Sequence, residues 1–314
     1  MGELSEMKDL NGGGPQGALW GILEYLYISN NNTDFISSRE KFKFIDDLSI
    51  LEKVHLLYIG LSSYNFKENV ASDIIKNGYF LPPGNLKTQT NLNKIADWTS
   101  ENKMLLNVSK TKTMNFNFTN KYQFSSRLSM NGKVLETISE TKLLGVIVTD
   151  TMSWDPNTQY IVKRANARMR MLHKLVEFSV PMEDLVNIFI LYIRSVLEQS
   201  CQVWHSSLNF DNLTDIERVQ KNALKIILKD QYISYDHALT KVGLESLVER
   251  REKLCLKFAK ACLKNDNVKD MFPLNDSIDQ DVRDRNKYKV TFANTGRLKD
   301  SAIPYMQRLL NANL

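Results

Sequence analysis

The sequence predicts an α+β protein in which an antiparallel sheet with helices comes first and a helical bundle follows. Three observations carry that expectation. Short extended runs lie between residues 113 and 148, and Asn131-Gly132 separates two of them. After Pro156 the apolar residues recur at helical spacing. With 314 residues, 43% hydrophobic and 25% charged, the chain is long enough to bury a core; 13 Gly and 7 Pro exclude a collagen-like or wholly disordered chain.

In chain order, residues 1–13 are a polar, flexible lead-in running into Asn11-Gly12-Gly13-Gly14. Ala18 to Ser29 is strongly apolar, and periodicity alone leaves it open between a buried helix and a strand. Asn30-Asn31-Asn32-Thr33-Asp34 is a turn, Phe42 to Leu51 alternates around Asp46-Asp47 as strand, tight turn and strand, and Leu81-Pro82-Pro83-Gly84-Asn85 is a second break. From Thr88 to Met104 the spacing of Leu92, Ile95, Ala96 and Trp98 predicts a helix. Extended pieces at 113–118, 122–130, 133–138 and 143–148 then predict an antiparallel meander, with Asn131-Gly132 the strongest hairpin signal.

Residues 158–264 read as four or so amphipathic helices. Thr214-x-x-Glu217 has the form of a capping box opening one of them at Asp215, since its hydroxyl and carboxylate would satisfy orphan amides at a helix start. Met182 to Trp204 is apolar nearly all round and is expected at the buried centre of the bundle. Residues 265–300 are polar and expected to be loosely ordered, before a short helix from Ala302 to Leu310 introduced by Ile303-Pro304.

Lys and Arg total 41 against 36 Asp and Glu, a net charge of +5 that is compatible with a polyanionic partner. Three cysteines at wide spacing argue against a disulfide scaffold and for a reducing compartment, with Cys255 and Cys262 on an apolar face as core thiols. Met1 to Leu10 has no apolar stretch resembling a signal peptide, and Leu185 to Ile193 is about half a membrane span. The expectation is an intracellular protein, cytoplasmic or nuclear, with no membrane partner.

Gly12-x-Gly14-x-x-Gly17 matches the dinucleotide fingerprint only formally, because polar residues precede it and Pro15 removes an amide that a pyrophosphate would need. Cys201 and His205 stand four apart, but no second pair completes a tetrahedral metal site, and no Gly-x-Ser-x-Gly is present. Asp46-Asp47 is more informative. Adjacent carboxylates within the apolar run Phe44 to Leu51 repel each other and resist burial, and a divalent cation such as Mg²⁺ removes both penalties.

Gly14-Pro15-Gln16-Gly17, followed about thirty residues on by Phe44-Ile45-Asp46-Asp47, resembles two successive palm motifs of the reverse transcriptases of non-LTR retrotransposons. The resemblance continues through Trp98-Thr99 and Leu106-Asn107-Val108-Ser109-Lys110-Thr111-Lys112, then Lys142-Leu143-Leu144-Gly145-Val146, which is similar to the primer-grip strand. It extends through Val203-Trp204 and Ile216 to Lys221, and to Ser301-Ala302-Ile303-Pro304 and Leu309-Leu310-Asn311 near the end. It implies a partial right-hand polymerase palm over residues 14–154, a helical thumb-like domain over 155–264, and a polar tail with a short C-terminal helix over 265–314.

By that resemblance Asp46 and Asp47 are the catalytic, Mg²⁺-binding pair. Pro15, Gln16 and Gly17 contact template and incoming nucleotide, Lys110 or Lys112 lies near the triphosphate, and Leu144 and Gly145 form the primer grip. The implied partners are an RNA template, a DNA primer and deoxynucleoside triphosphates, and the implied reaction is RNA-directed DNA synthesis. The family also uses a third carboxylate well upstream of Gly-Pro-Gln-Gly. Only thirteen residues precede Gly14, and Glu3, Glu6 and Asp9 among them lack an apolar strand context. The expectation is therefore a fragment, without fingers, inactive alone and binding Mg²⁺ weakly or not at all. The alternative is a non-catalytic nucleic-acid-binding relic.

The helical half carries its own signal. Lys163, Arg170 and Lys174, flanked by Arg164 and Arg168, oppose the apolar face Ile161, Ala165, Met169, Leu172 and Val176. Arg218, Lys221, Lys225 and Lys229 oppose Val219, Ala223 and Ile226, while Lys253, Lys257, Lys260 and Lys264 oppose Val248, Cys255, Phe258 and Cys262. Such faces suit contacts to a nucleic-acid backbone.

Overall fold

A computed structural model describes residues 41–44, 47–50, 87–103, 106–116, 118, 127–266, 268–275 and 287–314. The lead-in, the apolar run from Ala18 to Ser29, the breaks at 30–34 and 81–85, and Pro15, Gln16, Gly17 and Asp46 lie outside the described residues. The fold is α+β, in two compact units, Met1–Ser139 and Glu140–Leu314.

In the first unit, β1 (Lys41–Phe44) and β2 (Asp47–Ile50) pair antiparallel, with Phe44 opposite Asp47. These are the two strands that the alternation predicts; the turn expected between them lies outside the described residues. Helix α1 (Lys87–Glu101) buries Leu92 and Ile95 at the expected spacing. Gln89, one turn earlier, has the pattern of an exposed residue but is buried. Its Nε2 donates to the Ser129 carbonyl (2.8 Å) and its Oε1 accepts from the Ser129 amide (2.9 Å), standing in for a paired strand. Ser129 belongs to β4 (Ser129–Met130), which forms a hairpin with β5 (Lys133–Val134). Asn131 and Gly132, at φ 51° and 73°, make the two-residue turn with both φ positive that this dipeptide favours. Leu92, Leu128, Met130 and Leu135 close a small core.

The meander is corrected. Strand β3 (Lys112–Thr113) pairs with β6 (Glu136–Thr137) in parallel, and the strands among the described residues form separate two-stranded ribbons. A parallel pair needs a long crossover, and the stretch carrying the β4–β5 hairpin supplies it.

The second unit opens with β7 (Glu140–Leu143) and β8 (Val146–Thr149), an antiparallel hairpin closed by the pair Leu143 and Val146. The single strand expected from 143 to 148 is thus a turn and a strand. Leu144 and Gly145 sit at φ 47° and 88°, and the twist of a two-residue hairpin asks for positive φ at both positions.

Helix α2 (Asp155–Glu177) follows, with Pro156 in its first turn, where a missing amide hydrogen does no harm. Its buried face is Ile161, Ala165, Met169 and Leu172. It packs on α6 (Phe210–Leu228), and Asp155 ties their starts together by accepting from Nδ2 of Asn212 (2.6 Å) and of Asn209 (3.1 Å). The Asn212 bond, then that from Ser153, holds the Asp155 carboxyl below its ordinary pKa.

Between them run α3 (Met182–Ile188), a π-helical turn over Phe189–Arg194, α4 (Ser195–Glu198) and α5 (Cys201–Trp204). Phe189, Ile193, Leu197, Cys201 and Trp204 are buried completely. The segment is the centre of the unit as expected, yet two-sided rather than buried all round, since Leu191 is 75% exposed. Its line breaks at Ser200, which takes the left-handed conformation (φ 52°).

The Thr214–Glu217 capping box is also corrected. Helix α6 begins at Phe210, capped by Asn209, whose side chain accepts from the Asn212 amide (2.8 Å); Thr214 and Glu217 lie inside the helix. Asn209 wins because it immediately precedes the first helical turn. After α7 (Tyr235–Val242), a reciprocal capping box does occur at Ser246 and Glu249, opening α8 (Leu247–Cys262). The buried face of α8 is Leu247, Arg251, Cys255, Ala259 and Cys262, so Val248 and Phe258, assigned to it from the sequence, are exposed instead. Arg251 occupies an interior position that an apolar residue would normally fill, which rotates the face.

The described residues beyond α8 are not loosely ordered. They hold a 3₁₀ turn at Lys269–Met271, a bridge between Leu274 and Tyr288, α9 (Gly296–Lys299) and α10 (Ala302–Ala312). Phe272, Met306, Leu309 and Leu310 pack on Cys255, Ala259 and Cys262 in a second core. Gln307, fully buried, joins the pieces by accepting from the Thr291 amide (2.7 Å) and donating to the Met271 carbonyl (2.8 Å). Among the described residues no helix is long and apolar enough to cross a membrane.

Candidate nucleic-acid interface

Helix α2 exposes Lys163, Arg170 and Lys174 to solvent, with Arg164 and Arg168 half-buried on the flank, as its periodicity requires. Arg168 is committed locally, because its guanidinium donates to the Tyr192 carbonyl and lies 4.3 Å from that ring. Arg164 lies 5.4 Å from the Tyr160 ring, over which Lys142 of β7 also sits at 4.9 Å.

On α6, Arg218 is ion-paired with Asp215 (2.6 Å). Lys221 rests over the Tyr235 ring at 5.1 Å and Lys225 over Tyr232 at 5.6 Å. Lys229 stands at the helix end with φ 48°. Among the described residues Lys163, Arg164, Arg170, Lys174, Lys221, Lys225 and Lys229 form no ion pair with a carboxylate within 4.0 Å. Along α8, Lys257, Lys260 and Lys264 line an open groove with Leu256 and Ala261; Lys253 shares it but is ion-paired with Glu245.

The tyrosines are the part that sequence reading missed. Only Tyr160, four residues before Arg164, carries a local signal; the other rings meet their cations across turns or between helices. A cation over an aromatic face is attracted by the ring quadrupole while remaining hydrated. Four tyrosines therefore hold positive charge at the surface in fixed places without neutralising it.

The remaining sequence-predicted residues lie in several elements. Asp47 is the first residue of β2. Lys110 is exposed in a turn, whereas Lys112 is ion-paired with Glu136 across β3 and β6. Leu144, 52% exposed, and Gly145 occupy the tip of the β7–β8 hairpin, where a Cβ added at Gly145 would fall 2.3 Å from Nε2 of Gln199.

Behind the basic faces lies a buried polar centre. Arg251 donates from Nε to Nδ1 of His205 (3.2 Å), and both of its terminal nitrogens are buried without a hydrogen-bond partner. Burial first, and the Arg251 charge second, push the His205 pKa down to about 4, so the ring is neutral and accepting at physiological pH. Cys201 and Cys255 lie beside this pair, fully buried and free. Among the described residues no group of three or more His, Cys, Asp or Glu side chains is placed to hold a metal ion. No family model, curated protein or solved structure matches the chain.

Proposed function

We propose that the helical unit grips a nucleic-acid duplex by its phosphate backbone, in a chain derived from an RNA-directed DNA polymerase of the non-LTR retrotransposon type. The observation that supports this reading is the set of surface cations braced on tyrosine rings with which, among the described residues, no carboxylate pairs within 4.0 Å. Phosphates are the complementary partner, and such contacts give affinity without sequence choice. The motif order from Gly14-Pro15-Gln16-Gly17 through Asp46-Asp47 to Leu144-Gly145 supports the polymerase origin. In that reading the helical unit is thumb-like, and the partners are RNA template, DNA primer and deoxynucleoside triphosphates. Asp46 and Asp47 would offer carboxylate oxygens to Mg²⁺, whose charge relieves their repulsion and serves phosphoryl transfer.

Fluorescence anisotropy of a labelled RNA–DNA hybrid tests the duplex reading. Replacing Lys221, Lys225 and Lys229 with Glu should weaken binding about a hundredfold or more at low salt and flatten the dependence of log K on log salt by about three. Affinity that ignores salt, or survives the triple change, overturns it. Templated primer extension with Mg²⁺ tests whether the chain is inactive alone: duplex binding without extension is the expected result, and templated extension that is lost in Asp46→Asn overturns that expectation.

A further inference from the structure

We propose that Lys142, Tyr160 and Arg164 form a binding site for one backbone phosphodiester, placed beside the β7–β8 hairpin tip. The three residues come from two elements that are fixed to each other. Lys142 lies on β7 opposite Ile147 of β8, and the Ile147 amide donates to Oδ1 of Asn157 in the first turn of α2 (3.1 Å). Tyr160 follows Asn157 by three residues and precedes Arg164 by four, so it shares a helix face with each. The hairpin is therefore pinned where Lys142 can reach the phenol.

There Lys142 Nζ donates to the Tyr160 hydroxyl (2.7 Å), and the Arg164 guanidinium stands over the same ring. Two cations gathered on one phenol repel each other, and among the described residues neither forms an ion pair with a carboxylate within 4.0 Å. The hydroxyl accepts from Lys142 and keeps its own proton to donate. An ammonium, a planar guanidinium and a phenol O–H thus gather around one ring, a donor set suited to a singly charged phosphate oxygen pair. The Lys142 bond is also the first cause of a lowered Tyr160 pKa, with the Arg164 charge adding to it. Lys142 is two residues from exposed Leu144, which puts the phosphodiester next to the hairpin tip. Inorganic phosphate shares this chemistry, and the experiment separates the two sources. The assignment to a backbone phosphate rests on the duplex-binding reading.

The test compares the full chain with Lys142→Gln, Arg164→Gln and Tyr160→Phe, each checked for unchanged helical circular dichroism. With the labelled hybrid, the two charge removals should each weaken binding several-fold and lower the salt slope by about one, while Tyr160→Phe weakens binding with the slope kept. Unchanged affinity and slope in both charge variants, with wild-type binding intact, overturns the site and leaves the duplex reading standing. No hybrid binding by wild type overturns the duplex reading and the backbone assignment together. In a second arm the Tyr160 phenol is titrated by ultraviolet absorbance, using Tyr160→Phe as blank, in phosphate and in chloride at equal ionic strength. A midpoint raised by phosphate supports the anion site. Raised without hybrid binding, it shows a site for free phosphate instead and overturns the proposal; no shift, together with unaffected hybrid binding in the variants, overturns the anion site altogether.

Discussion

Trp204→Ala should destabilise the helical unit by about 3–5 kcal/mol, the range for emptying a large aromatic site in a packed core. Trp204 is fully buried among the residues that line the main core, and it ends the segment that passes through the unit's centre. Its indole has a second task. Nε1 donates to the Gln199 carbonyl (3.1 Å), the residue before left-handed Ser200, where the central segment changes direction. A helix interruption inside a core strands carbonyl groups, and this one is satisfied by a side chain five residues on. The Arg251 guanidinium, 5.9 Å from the ring, would lose an aromatic neighbour as well. Trp204→Phe separates volume from hydrogen bond: it keeps most of the packing and should lose only about 1–3 kcal/mol through the orphaned carbonyl. Urea unfolding followed by helical circular dichroism measures both, with the midpoint moving and the slope unchanged. Equal losses for the two variants would mean that the hydrogen bond, not the packing, carries the effect.

What the sequence made legible was the part that depends on near neighbours. Asn131-Gly132 specifies its turn by the backbone freedom of those two residues, and the face of α2 follows from a periodicity that nothing overrides. The errors fall where one local pattern has two physical uses. Leu144-Gly145 looked extended because apolar residues flank it, although the same dipeptide closes a hairpin. Arg251 could not be placed inside by pattern, because its burial depends on His205, a partner 46 residues away. The basic stripes were readable as faces, but only the fold separates Arg218, already paired, from Lys221, braced on Tyr235. The sequence and the β1–β2 register agree on two antiparallel strands with Phe44 opposite Asp47, and the chemistry assigned to Asp46-Asp47 comes from the resemblance alone.

Glu217 is the sharpest case of a pattern with two uses, and Glu217→Ala should destabilise the helical unit by about 2–4 kcal/mol by leaving two donors unpaired. From the interior of α6 its Oε1 accepts both the Tyr235 hydroxyl and the amide of Leu247, the first residue of α8. It therefore caps a helix, but the next one in space rather than its own. Gln220, fully buried one turn along, completes the network by donating to the Tyr235 oxygen (2.9 Å) and to the Glu245 carbonyl (2.9 Å). Burial first, and then the bond to Glu217, raise the Tyr235 pKa, so the phenol stays protonated and donating. Because the folded value is raised, that contribution is complete below the ordinary tyrosine pKa of about 10 and is lost only as pH climbs above it. Glu217→Gln retains an acceptor oxygen and should cost about 1 kcal/mol, the difference between a charged and a neutral acceptor. In a double-mutant cycle with Tyr235→Phe the two losses should fall short of additive, since each removes the same bond. Full additivity would show that the two side chains act independently. The network also fixes the ring on which Lys221 rests, so under the proposed duplex reading Glu217→Ala should weaken binding at temperatures where the unit is still folded. A loss of stability with duplex affinity unchanged would separate the scaffold from the basic surface it carries.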